Sequence, residues 1–314
     1  MRYSATRMPV SKFRLNTTIL AKYRKPAARI VLFSAIILLP ALFSVTSASD
    51  AKSELDAGFL SNWLENVTRT QEAQPHWEAL LNMNSPRLTQ GFRYNYSRQY
   101  FPGNSTLTNY GMGKGLQLIL GENFEAQIGI PAQIDRQTPK ANSSGWADET
   151  LLGRYRLLSA NEENGNYIVS GSLGLSIPSG SDPFSSRSNV FTPTLAAGKG
   201  WGTRQSGIDI QSALSASVPD NNLSVIGVPV AWAVALQAHV FEYIWPEIEA
   251  NYTHWYKGAY DGRNQLVLTY GIVFGKFKIK NREQLSLAIG YQEPEGTNFG
   301  TFSRGWLAMA KLSF

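Results

Sequence analysis

The chain contains no cysteine. This excludes a disulfide scaffold, a thiolate-ligated zinc site and any thiol chemistry. Charge is scarce too: Asp, Glu, Lys and Arg make up 17% of the 314 residues, against roughly 25% in soluble globular domains. No acidic residue occurs before Asp50, so the formal charge of +6 is misleading. Eight of the 29 basic residues (Arg2, Arg7, Lys12, Arg14, Lys22, Arg24, Lys25 and Arg29) lie at the N-terminus. Without the first 48 residues the balance is 21 basic to 23 acidic, a net charge of −2. A nucleic-acid partner, which needs a basic face, is not expected. Also missing beyond Pro86 is any sustained apolar period of 3.6 residues, which excludes a helical domain there.

The N-terminus reads as an address. Residues 30–45 form an uncharged apolar run directly after the basic stretch, and the small residues of Thr46-Ser47-Ala48 follow. This is the layout of a secretory signal peptide, expected over residues 1–48, with Met8 as an alternative start. A retained anchor is the other reading. The run of about 16 residues is broken by Pro40 and falls short of the ~20 needed to span a bilayer.

Residues 49–86 are expected to form a periplasmic segment. Leu55, Phe59, Leu60, Trp63, Leu64 and Val67 fall at helical spacing, predicting one short amphipathic helix over about 53–69, with Ser53 and Asp56 as a capping box. Such a helix either rests on a barrel rim or plugs a lumen; with no long linker to swing it inward, the rim is favoured.

Residues 87–314 alternate with period two in stretches of about 10 residues, the pattern of membrane-spanning strands. The predicted strands are 87–99, 113–120, 123–134, 146–158, 166–178, 189–200, 206–218, 228–243, 245–257, 264–276, 283–292 and 304–314. The fold class is thus all-β, an antiparallel transmembrane β-barrel of about twelve strands. Connections at 121–122, 159–165, 201–205, 244 and 277–282 are mostly short. Those at 100–112, 135–145, 179–188, 219–227, 258–263 and 293–303 are mostly longer and rich in Gly, Pro, Asn and Ser. Outer-membrane barrels pair short periplasmic turns with long extracellular loops. The pattern therefore predicts a bacterial outer-membrane location with both termini periplasmic. Tyr94, Tyr96, Tyr100, Tyr252 and Tyr256 stand where an interfacial aromatic girdle belongs, and Phe314 ends the last alternating strand. A C-terminal aromatic resembles the signal read by the barrel-assembly machinery of such proteins. The expected surroundings are outer-membrane lipid.

Several motifs are similar to those of one bacterial family. They are Pro75-His76-Trp77 with Leu80, Ser85-Pro86-Arg87-Leu88 running into Phe92-Arg93-Tyr94, and Gly145, Asp148-Glu149 and Tyr155-Arg156-Leu157. Gly165-Asn166-Tyr167, Ile177-Pro178-Ser179-Gly180 and Thr192-Pro193 with Gly198-Lys199-Gly200 complete the set. The chain resembles the outer-membrane transporter family associated with the meta-pathway of phenol degradation, over most of residues 75–314. The resemblance implies a barrel that passes small, apolar or aromatic molecules. It supplies no catalytic residue, and Asn95 departs from the acid it would place there.

The inward-facing parity collects Arg93, Glu125, Asp148, Arg154, Arg156, Asp209, His239, Glu247, Glu249 and Lys311, with Gln127 and Gln237. These are the candidate lumen-lining residues. Both signs occur, so they either contact a permeating small molecule or pair with one another and stiffen the wall. Twelve strands lie between filled eight-stranded barrels and open 16–18-stranded porins, which predicts a narrow or occluded pore.

A lipid hydrolase is the enzymatic alternative. Its chemistry needs a serine, a His base and a group to orient that base. The three histidines are His76, His239 and His254, and no Gly-x-Ser-x-Gly elbow occurs; Gly171-Ser172-Leu173-Gly174 has the wrong spacing. No catalytic residue, metal site or cofactor is assigned. Gly111-Met112-Gly113-Lys114-Gly115 lacks the pattern of a phosphate loop, and Lys276-Phe277-Lys278-Ile279-Lys280 reads as a solvated strand end. A structural or surface-binding barrel is a third reading, although loops 135–145 and 179–188 are short for adhesion.

Overall fold

The computed structural model describes residues 50–296 and 302–314, with side chains from residue 58. The expected signal peptide lies outside those bounds, and the side chains of the expected Ser53–Asp56 capping box are outside the described ones. The chain divides into two units, Met1–Ala57 and Gly58–Phe314, and the second is the barrel.

The helix α1 (Asp50–Glu72) is longer than predicted. It is followed by twelve wall strands. They are β1 (Gly91–Phe101), β2 (Ser105–Gly111 with Gly115–Gly121), β3 (Phe124–Gly129 with Gln133–Gln137), β4 (Asn142–Trp146 with Glu149–Ala160), β5 (Tyr167–Ile177) and β6 (Val190–Gly202). The second half has β7 (Gly207–Ala216 with Val218–Pro219), the short helix α2 (Leu223–Ile226), β8 (Val228–His239), β9 (Ile244–Tyr256), β10 (Asn264–Lys280), β11 (Glu283–Glu295) and β12 (Arg304–Ser313). Each strand pairs antiparallel with its neighbours, and β12 pairs with β1, which closes the wall; the Asn142–Trp146 piece of β4, in the extension beyond it, has a strand partner on one side only. The register at that seam runs from Gly91↔Ser313 to Tyr100↔Arg304.

Four strands are interrupted, each for a local reason. In β2, Gly111, Met112 and Gly113 all have positive φ and kink the strand. In β3 the break holds Pro131, which has no N–H to donate to the ladder. In β4 the break falls at Ala147, whose N–H reaches the Ala132 carbonyl at 2.7 Å and carries the pairing on. In β7 the strand breaks at Ser217, whose N–H still donates to Pro229 O at 2.9 Å and carries the pairing with β8 on.

Two predicted long loops are not loops. Residues 100–112 and 135–145 are mostly strand, because β2, β3 and β4 continue past the neighbouring barrel rim as a paired extension. Their Gly, Asn and Ser content reads as loop, yet antiparallel pairing satisfies the backbone there. The long-loop rim is completed by 178–189, 220–227 and 257–263, and the opposite rim has the short turns 161–166, 203–206, 240–243 and 281–282.

Alternation sets the two faces. Leu173, Leu195, Leu214, Trp232, Ile248, Leu287 and Trp306 are exposed on the outside, whereas Ala196, Ala213, Ala233, Glu247, Glu249, Ser286 and Ala288, of opposite parity, are buried within. Of the predicted girdle, Tyr94, Tyr252 and Tyr256 are exposed on the outer face. Tyr100 lies between Arg98 and Arg304 at 5.6 and 5.2 Å in cation–π contact.

Candidate functional site

The barrel is not hollow. The stretch from Gln74 to Gln90, placed by sequence in a periplasmic segment and the start of the first strand, runs through the interior instead. Trp77, Leu80, Leu81, Met83 and Leu88 are buried there. Prolines at 75 and 86 and the lack of either apolar period keep it from joining the wall as helix or strand. Its backbone groups must then find side-chain partners, and the inward residues of the wall supply them.

The segment enters at the short-turn rim. There the α1 carbonyls that lack helical partners are capped by the wall: Arg156 Nη1 donates to Thr70 O at 2.7 Å, Ser159 Oγ to Ala73 O at 2.7 Å and Asn161 Nδ2 to Glu72 O at 3.1 Å. Trp63 Nε1 donates to Ile119 O at 2.6 Å, so the C-terminal part of the helix sits at the rim. Phe59, on the apolar stripe, is 69% exposed. Thus the helix holds the rim position, and the residues after it are the plug.

Glu162, in a short turn, then takes the His76 backbone N–H at 2.6 Å and the His76 ring Nδ1 at 2.8 Å. Burial pushes the Glu162 carboxyl up, but these hydrogen bonds outweigh it and hold its pKa down at about 2. Trp77 lies flat against β6 where Gly198 and Gly200 leave room; a Cβ at Gly198 would sit 2.6 Å from the indole. The indole N–H donates to Asn166 Oδ1 at 2.9 Å.

Deeper in, two carboxylates of β9 hold the turn of the plug. Glu247 accepts the Leu81 N–H at 2.8 Å, and Glu249 accepts those of Asn82 and Met83 at 2.8 and 2.7 Å. From the facing wall, Arg93 Nη2 donates to the carbonyls of Leu80 and Leu81, both at 2.8 Å, and Asn95 Nδ2 donates to Leu81 O at 3.0 Å. The chain then returns to the rim. Arg154 Nη1 donates to Arg87 O at 2.8 Å and pairs with Glu125 at 3.0 Å, and Glu125 accepts the Thr89 N–H at 2.6 Å. Gln74 and Leu88 close the base of the loop through both amide atoms, at 2.7 and 3.0 Å.

All ten predicted inward residues are buried. Seven (Arg93, Glu125, Arg154, Arg156, Glu247, Glu249 and Lys311) bind the plug or the end of α1; Lys311 does so through Glu78, at 3.3 Å. The other three do not. Asp148 accepts from Gly180 and Ser186 and anchors the 178–189 loop at the far rim. Asp209 accepts from Gln211 at 2.8 Å, and its second oxygen has no partner. His239 meets the Thr203 carbonyl at 2.7 Å and stacks on Trp245.

Sequence reasoning missed Gln74, Trp77, Glu78 and Leu81. Their signal was an apolar cluster between two prolines that fits neither a helix nor a strand. Among the described residues no group of His, Asp and Glu could hold a metal, and no histidine ring is hydrogen-bonded to a serine.

No family model and no curated protein sequence matches the chain. Solved structures with a similar architecture include an outer membrane channel from Pseudomonas putida F1, at 13% identity and a TM-score of 0.48, covering 76% of this chain and 100% of that one. The KdgM porin, at 10% identity and a TM-score of 0.42, covers 71% of this chain and 99% of that one. The NanC porin, at 11% and 0.41, covers 70% and 98%. These are likenesses of barrel architecture between distant sequences.

Proposed function

We propose that this chain is a bacterial outer-membrane barrel that passes small molecules through a lumen gated by residues 74–90, with both termini on the periplasmic side. Support for the membrane comes from the closed wall and its exposed apolar exterior, since only a structure with every backbone group paired is stable in lipid. Phe314, at the end of the closing strand, is the position the assembly machinery would read.

The observation that carries the channel reading is the way the plug is held. Hydrogen bonds and ion pairs attach it to the wall without weaving it into the strand ladder, so a shift breaks only those contacts and leaves the barrel closed. Transport of apolar or aromatic solutes, as the phenol-pathway resemblance implies, is the finer form of this proposal. The test is conductance in planar bilayers. Wild-type currents should be small, and replacing Glu247 and Glu249 together by Gln should raise the open probability. Porin-sized wild-type currents would reject a resident plug. A folded double variant with no added conductance would favour the structural reading, for which the sealed, ion-paired interior is the specific argument.

A further inference from the structure

Above the turn of the plug, toward the long-loop rim, the lumen opens into a cavity of about 180 Å³. Asn82 of the plug lines it, with Ser97 and Gln99 of β1, Asn251 of β9, Gln265 of β10 and Gln292 of β11. Met112, Val267 and Phe302 supply the apolar part of its surface. Among the described residues no charged side chain lines it. Glu249, below Asn82, has both oxygens taken by the plug backbone, and Lys114 is bound to Asn84 at 2.5 Å.

We propose that this cavity binds a neutral, hydroxyl-rich small molecule of about monosaccharide size. The inference rests on the channel reading but puts a polar solute in place of the apolar or aromatic one that the phenol-pathway resemblance implies. Three physical arguments lead to it. An anion or cation entering here would leave water without an opposite charge to replace its hydration, which is costly. A purely apolar guest would strand the amides, whose burial without partners costs about 1–3 kcal/mol each. A hydroxyl both donates and accepts, as an amide group does, so a polyol satisfies both ends of each Asn and Gln.

The polar atoms are free to do so. The side chains of Asn82, Ser97, Gln99 and Gln265 make no hydrogen bond among the described residues, although Ser97 is only 6% exposed. Gln292 is held by Thr269 at 3.1 Å, and Asn251 by Thr253 at 3.2 Å, which orients two of the amides in advance. The volume equals roughly six waters at ~30 Å³ each. The apolar residues offer a surface for the C–H face of a sugar ring.

The test uses the full chain in detergent micelles and D-glucose as probe, read by calorimetric titration and by saturation-transfer NMR. Glucose should bind saturably. Gln99→Leu and Gln265→Leu should each weaken it about tenfold, the loss of one or two amide hydrogen bonds. Benzoate should neither bind as tightly nor compete. Folding of each variant is checked by heat-modifiable gel mobility, and for a variant that does not fold, the wild-type benzoate competition decides. Absence of saturable glucose binding, unchanged affinity in both folded variants, or tighter benzoate binding would each overturn the proposal. Glucose-driven liposome swelling separates the two readings. Saturable binding without swelling would leave this site standing and remove the channel, whereas swelling without saturable binding would remove the site alone.

Discussion

Arg93 and Lys311 stand directly opposite each other across the seam that closes the barrel. Two buried cations so placed repel, and the plug offsets that. The Leu80 and Leu81 carbonyls solvate the Arg93 guanidinium, and the Glu78 carboxylate pairs with Lys311. The seam and the lumen segment are thus one electrostatic unit: the wall closes with like charges facing inward, and residues 74–90 make that closure tolerable.

Removing one partner of the buried Arg154–Glu125 pair leaves the other charge uncompensated. Arg154→Met should therefore destabilise the folded barrel by about 3–5 kcal/mol, and the double variant Arg154→Met with Glu125→Gln by markedly less. Urea titration of the heat-modifiable band measures both. Equal losses in the single and double variants would disprove the coupling.

Trp77 and Gly198 constrain each other. A methyl group at Gly198 would meet a rigid indole at 2.6 Å, so Gly198→Ala should cost about 1–3 kcal/mol. Trp77→Leu in the same chain should recover part of that loss. A double-mutant cycle with zero coupling energy would show that the indole does not rest on β6.

The Glu162 contact makes docking of the plug acid-sensitive. Its folded pKa, about 2, lies below the ordinary 4.5, so its stabilisation is fully present above 4.5 and is lost as pH falls from there toward 2. Glu72, 3.4 Å from the other His76 ring nitrogen, shares the site. Between pH 7 and pH 3 the wild type should lose more thermal stability than Glu162→Gln, as read by melting scans. Parallel losses would assign the acid sensitivity elsewhere.

Ile248 is half exposed in the middle of β9, on the face assigned to lipid. Ile248→Arg should cost about 2–4 kcal/mol for folding into vesicles, the depth-dependent penalty for a charge at the bilayer midplane. In detergent micelles, which deform around the guanidinium, the cost should be smaller. An unchanged folding yield in vesicles would argue against a membrane-facing exterior.

The sequence by itself determined the wall. Period-two alternation is a property of each strand's own backbone, so Leu285, Leu287 and Ile289 declare one face and Ser286, Ala288 and Gly290 the other without knowledge of any neighbour. The same rule found the ten inward residues, because parity is enough to tell inside from outside. It did not find their partners. Whether Glu249 would bind a solute, an arginine or a backbone N–H depended on what lay across the lumen. That was decided by residues 74–90, which carry no periodicity to read. Their path follows from tertiary contacts alone: prolines bar them from the ladder, glycines on β6, β10 and β11 leave space for Trp77 and Leu81, and buried carboxylates and guanidinia take up the backbone groups that no strand neighbour could satisfy.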